Sequence, residues 1–200
     1  IVLIAMLLGW GAPFTAVQLL FVNVVADGLP GFALGKEPAE KGIMDEAPIP
    51  KNEGIFARGL WQKFGINAAV FTVITLFGFY LGAFVPGVSA YVSNSYEVGQ
   101  TVAFLILAYS SILHVFNVRS ANSVFRVKLS SNKSLFEMVV LALLITTTIA
   151  LLPFTQELFG LVHISLNHWM LAIFLSFVPI FVNEMIKFHF SEVEEEEEVI

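Results

Sequence analysis

The chain has 200 residues, of which 57% are hydrophobic and only 13% charged, and its mean hydropathy is +0.82. Such a composition excludes an ordinary soluble domain and identifies an integral membrane protein, while the absence of cysteine excludes disulfides, thiolate metal sites and cysteine nucleophiles. The formal charge of −6 is unevenly placed, because much of the acid lies in the run Glu192 to Glu198, and such a run is expected to be a solvated, disordered tail rather than a binding patch.

Six apolar segments follow one another, approximately Ile1 to Leu8, Ala16 to Leu34, Leu60 to Phe84, Val98 to Val118, Leu135 to Leu152 and His168 to Lys187. Five are long enough to cross ~30 Å of hydrocarbon as helices. The first is too short, and it lacks the charged leader and small-residue cleavage site of a signal peptide, so it is read as the end of a span that starts upstream. Lipid offers no partners to the backbone, so Phe, Gly and β-branched residues are compatible with helix here. The expected fold is therefore an all-α membrane protein, a bundle of about six transmembrane helices over residues 1–188, with a disordered acidic tail at 189–200. No internal repeat of the kind found in secondary transporters is present.

The second segment holds the most informative residues. Asn23 and Asp27 are four apart in an apolar run and would share a helix face. A charge in hydrocarbon is costly, so Asp27 must be protonated, paired or bound to an ion, and two oxygen donors on one face begin a cation site. Gly28, Pro30 and Gly31 follow, and they predict that this helix unwinds near Asp27–Gly28 and exposes carbonyl oxygens. The alternative is a helix end with Asp27 as a cap at the membrane boundary.

The connection 35–59, with Pro38, Pro48 and Pro50, reads as an ordered loop. Gly78 and Gly82 in the third span form a small-residue packing pair. Asn117 and Arg119 end the fourth span, where Arg119 either snorkels to water or reaches inward as a counter-charge to Asp27. Thr146, Thr147 and Thr148 are expected to bond to their own helix. Glu137 and Glu184 lie at helix ends, and His114, His163, His168 and His189 have no metal-ligand spacing. All ten Lys and Arg fall on alternate connections, namely 36–63, 119–133 and Lys187, which places those connections and the C-terminus in the cytoplasm of a multi-pass cell-membrane protein. Membrane lipid is the expected environment. Basic residues are too few and too confined to loops for nucleic-acid binding, and no phosphate-binding loop or nucleophile elbow is present.

The run Val17 to Gly35, with Glu37-Pro38, Gly42 to Asp45, Pro50 to Ile55 and the ending His114 to Ser120, resembles the C-terminal membrane region of type II P-type cation pumps, most of all the bacterial calcium-transporting ATPases. The resemblance implies that the chain runs from the end of the fifth span to the tenth, that Ala16 to Leu34 is the sixth, and that Asn23 and Asp27 ligate the transported ion, Ca²⁺. It implies too that the loop 35–59 couples ion occupancy to phosphoryl transfer. The phosphorylated Asp, the ATP- and Mg²⁺-binding domains and the N-terminal spans would be partners outside these 200 residues, so that the chain is part of an enzyme and not catalytic alone.

Two departures from the two-ion calcium pumps stand out. Ala26 replaces the Thr before the Asp, and Val98 to Lys133 contains no acid where those pumps have a Glu. One cation per cycle is therefore expected, with Arg119 supplying charge where a second ion would sit. Sodium and potassium pumps have Asp where Asn23 stands. A Mn²⁺ or Mg²⁺ pump, or a non-enzymatic membrane scaffold or channel with Asp27 lining a pore, are the competing readings.

Overall fold

The computed structural model describes residues 1–38, 60–85, 95–120, 123–124 and 131–198, with backbone alone at 95 and 189–198. Most of the loop 35–59, together with Arg126 and Lys128, lies outside the described residues. A short helix, α1 (Val2–Leu7), precedes a rod made of α2 (Ala16–Phe21), a π-helical turn (Val22–Asp27) and α3 (Gly28–Leu34). Then come α4 (Leu60–Phe84), α5 (Ser95–Val118), α6 (Lys133–Leu151), α7 (Pro153–Phe159), α8 (Leu166–Ser176) and α9 (Val178–Glu198). Five helical stretches are long and apolar enough to span a membrane: Ala16–Leu34, Leu60–Phe84, Tyr96–Val118, Lys133–Leu151 and Leu166–Phe188. This is the all-α bundle expected from the hydropathy pattern. The last helix runs on through 189–198, where the sequence predicts a disordered tail.

The span of α5 lies at the centre, with 67% of it buried against 28 to 33% of each of the other four. The residues explain this placement. Gly99, Ala103, Ala108 and Ser110 are small and fully enclosed, so neighbours approach closely from several sides. The closest approach is by α4. A Cβ built on Gly82 would stand 2.9 Å from Gly99 Cα, and one on Gly99 would stand 2.8 Å from Phe79 O. Gly78 and Gly82 thus serve helix packing as their spacing predicts, and Gly99 is the opposing residue on α5.

One end of the bundle is closed by aromatic and polar contacts. Trp10 packs on Phe79, Tyr80 and Phe84 with centroid separations of 5.5 to 6.2 Å, while Tyr96 Oη and Gln100 Nε2 both donate to Ala12 O at 2.7 and 2.8 Å. Thr15 begins α2 as a capping box with Gln18. The threonines of α6 bond as expected, Thr146 to Ala142 O and Thr147 to Leu143 O, both at 2.7 Å, and Tyr109 of α5 reaches Thr147 at 2.7 Å. At the opposite end Asn67 of α4 and Asn183 of α9 form a reciprocal amide pair with bonds of 3.1 and 2.6 Å.

Candidate functional site

The π-helical turn Val22–Asp27 contains both Asn23 and Asp27. Its cause is local. Pro30 has no N–H to direct at Ala26 O and its ring crowds that carbonyl, so the regular ladder cannot run through unchanged and the helix widens one turn earlier. Gly28 keeps helical angles (φ −67°, ψ −49°), and α3 continues to Leu34. The expected unwinding near Asp27–Gly28 is therefore corrected to a widening: the chain stays helical, so no backbone carbonyls are opened there by a break in the helix. Asp27 is not a helix-end cap either, since it sits mid-rod without capping α3 through its side chain.

Within this turn Val22 and Ala26 are buried, whereas Asn23 and Asp27 are exposed. Asn23 Nδ2 donates to Leu19 O at 2.9 Å, which turns the amide nitrogen back onto its own helix and leaves Oδ1 for an acceptor role. The Ser111 hydroxyl of α5 lies beside the Asp27 carboxylate. A carboxylate, an amide oxygen and a hydroxyl make an all-oxygen set, the chemistry preferred by hard cations. It is incomplete for Ca²⁺, which takes ~6–8 oxygens. Among the described residues no three His, Asp or Glu side chains converge on a metal position.

Arg119 lies elsewhere. Its Nη2 is 2.7 Å from Glu37 Oε1 and 2.5 Å from Ser131 Oγ, and its side chain is 2% exposed. The carboxylate opposite Arg119 is thus Glu37 and not Asp27, and the snorkelling alternative does not describe so enclosed a guanidinium. The reason is distance along α5: Ser111, which meets Asp27, and Arg119 are eight positions apart, about 12 Å of helix rise. Glu37 is completed by Asn132 Nδ2, 2.8 Å from Oε2, and the same amide nitrogen donates to Ala33 O at 3.1 Å.

Sequence reasoning missed Ser111, Gln18 and Asn132, and gave Glu37 no partner. The doublet Ser110-Ser111 inside an apolar span was the available signal for the first. Glu184 acts structurally, accepting from Ser123 Oγ and from Val124 N at 3.0 Å. His168 is buried and its Nδ1 is 2.8 Å from Ser165 Oγ, and His114 meets the Phe71 ring edge-on, so neither belongs to the oxygen cluster. A cavity of about 560 Å³ between α4, α5 and α9, lined by Lys63, Asn67, His114, Asn117 and Lys187 among others, contains neither Asn23 nor Asp27.

Comparison with known proteins identifies the family of the chain. The chain is 31% identical over 194 residues to "Calcium-transporting ATPase 1" of Bacillus cereus, an alignment covering 92% of this chain and 22% of that protein. It is 32% identical over 188 residues to "Calcium-transporting ATPase 1" of Lactococcus lactis (93% and 20%) and 34% over 184 residues to "Calcium-transporting ATPase" of Bacillus subtilis (91% and 20%). The chain thus spans about a fifth of the length of these relatives. Residues 11–189 match the family described as "Cation transporting ATPase, C-terminus", and the chain belongs to that family.

Proposed function

We propose that this chain is the C-terminal membrane part of an ATP-driven calcium pump and that Asn23 and Asp27 supply part of a single cation site. The observation that carries this reading is the pair of exposed oxygen-bearing side chains on a π-helical turn inside an apolar span. Ser111 is a third donor, and other spans of the pump complete the shell. Asp27 ligates through its carboxylate and takes up a proton when the ion leaves, since a bare carboxylate at that depth is costly. Every Lys and Arg is placed on the cytoplasmic side, the side at which the loop 35–59 meets the ATP- and Mg²⁺-binding domains. The calcium reading is favoured over a Mn²⁺ or Mg²⁺ pump, and over a scaffold or channel, by relatives that are themselves named as calcium-transporting ATPases.

The test is metal-stimulated ATPase activity of the intact pump in vesicles, wild type against Asp27→Asn, across Ca²⁺, Mn²⁺, Mg²⁺ and Na⁺. Stimulation by Ca²⁺ that is lost in the variant is expected. Selective stimulation by Mn²⁺ keeps the site and changes the cargo, whereas Ca²⁺ stimulation that survives the substitution unchanged refutes the assignment.

A further inference from the structure

The span that carries Asn23 and Asp27 is fastened at both ends, and the two fastenings differ in kind. At one end the fully buried Gln18 donates from Nε2 to Phe159 O (3.1 Å) and Gly160 O (3.3 Å) and accepts at Oε1 from Thr15 N (3.0 Å). At the other end Glu37 divides its carboxylate between Arg119 Nη2 (2.7 Å) and Asn132 Nδ2 (2.8 Å). Asn132 also holds Ala33 O at the last turn of α3 (3.1 Å), while its Oδ1 accepts from Leu135 N (3.0 Å) and caps α6. The first fastening is neutral and enclosed. The second is ionic, with Glu37 18% exposed.

Between these two points lies the π turn. A π turn holds one residue more than the α-helix would place there and is rarely stable without support. Reverting to α-helix would rotate α3 by about 100° and shift it about 1.5 Å against α2, so one fastening must break first. Releasing Gln18 would strand a buried amide and two carbonyls. Glu37, closer to water, is the point that can open.

From this we infer that Glu37, Arg119 and Asn132 form a latch that holds the π turn, and with it the placement of Asp27 against Ser111, in the register that binds the cation. They are positioning residues, and none belongs to the oxygen cluster itself. The inference rests on Asn23 and Asp27 being ligands. With the latch open the turn relaxes, Asp27 leaves Ser111, and the apparent affinity falls in proportion to the fraction of pump still in the binding register.

The experiment measures the Ca²⁺ dependence of ATPase activity in the intact pump for wild type, Glu37→Gln, Arg119→Gln and the double variant. The expected result for Glu37→Gln is a rise of about fivefold or more in half-saturating Ca²⁺, with the maximal rate within about twofold of wild type. The double variant should be no worse than the worse single one, because both cut the same fastening. A purely structural defect would instead lower the folded amount or the maximal rate and leave half-saturation in place, which overturns the latch. Should Glu37→Gln fail to accumulate, Glu37→Asp, which keeps the charge but shortens the arm, is expected to shift half-saturation in the same direction. Asp27→Asn run in parallel separates the two ideas. Ca²⁺ stimulation lost there, with half-saturation in the Glu37 variants unmoved, overturns the latch alone; Ca²⁺ stimulation that survives in Asp27→Asn overturns the site and the latch together.

Discussion

Replacing Gly99 by alanine tests whether close approach of α4 and α5 holds the centre of the bundle together. The new Cβ would stand 2.7 Å from Ala83 Cβ and 2.8 Å from Phe79 O, and the second of these is backbone that no rotamer change can move. Reaching an ordinary carbon contact of about 3.5 Å requires the helices to part by about 0.8 Å, a gap that forfeits roughly a quarter to a half of each dispersion contact along the seam. In lipid there is little hydrophobic force to offset this, because packing itself drives helix association. Overpacking of this kind costs about 1–3 kcal/mol, against which alanine returns about 1 kcal/mol of helix propensity, leaving a net loss of up to about 2 kcal/mol. Gly65, on the exposed part of α4 with nothing within 4 Å of an added Cβ, supplies the control, and Gly65→Ala is expected to be neutral or slightly stabilising. Reversible unfolding of the intact protein in mixed detergent micelles reads the difference. If Gly99→Ala proves as stable as Gly65→Ala, the two helices do not depend on the glycine contact and the packing argument fails.

The other expectations follow from single contacts. Gln18→Leu removes three hydrogen bonds from a buried position and should cost about 2–3 kcal/mol in the same unfolding measurement, with equal stability of the variant counting against the anchoring of α2 to the turn at Gly160. Tyr109→Phe breaks the hydroxyl pair with Thr147 and should cost only about 0.6 kcal/mol, since hydrogen bonds between membrane helices are weak on average; a loss several times larger would mean that Tyr109 supports more than that one contact.

The spans, the glycine pair of α4 and the self-bonding threonines were legible because each depends on residues near in sequence: a run of apolar side chains, a spacing of four, a hydroxyl one turn from a carbonyl. Asn23 and Asp27 stand out in the sequence for a similar reason, as polar residues where lipid penalises them. What the sequence left open depends on partners far along the chain. Glu37 and Arg119 are 82 positions apart, and nothing in either local pattern announces the other. Unwinding at Gly28 was a sound inference from Gly and Pro alone, but it took no account of Gln18 and Asn132, whose bonds hold both ends of the rod and leave widening as the available response. Ser111 escaped notice because a serine in an apolar helix is usually satisfied by its own backbone.

The central placement of α5 has one more consequence. With most of its surface covered by other helices, its surroundings are protein rather than lipid, and it carries Gln100, Thr101, Ser110, Ser111, His114 and Asn117 within a single span. A polar exchange on this helix is solvated by neighbouring side chains and does not have to be tolerated by the bilayer. Ser111 is therefore a position at which the protein can alter what Asp27 encounters without weakening its hold on the membrane, so that the surroundings of Asp27 and membrane residence can diverge independently in the course of evolution.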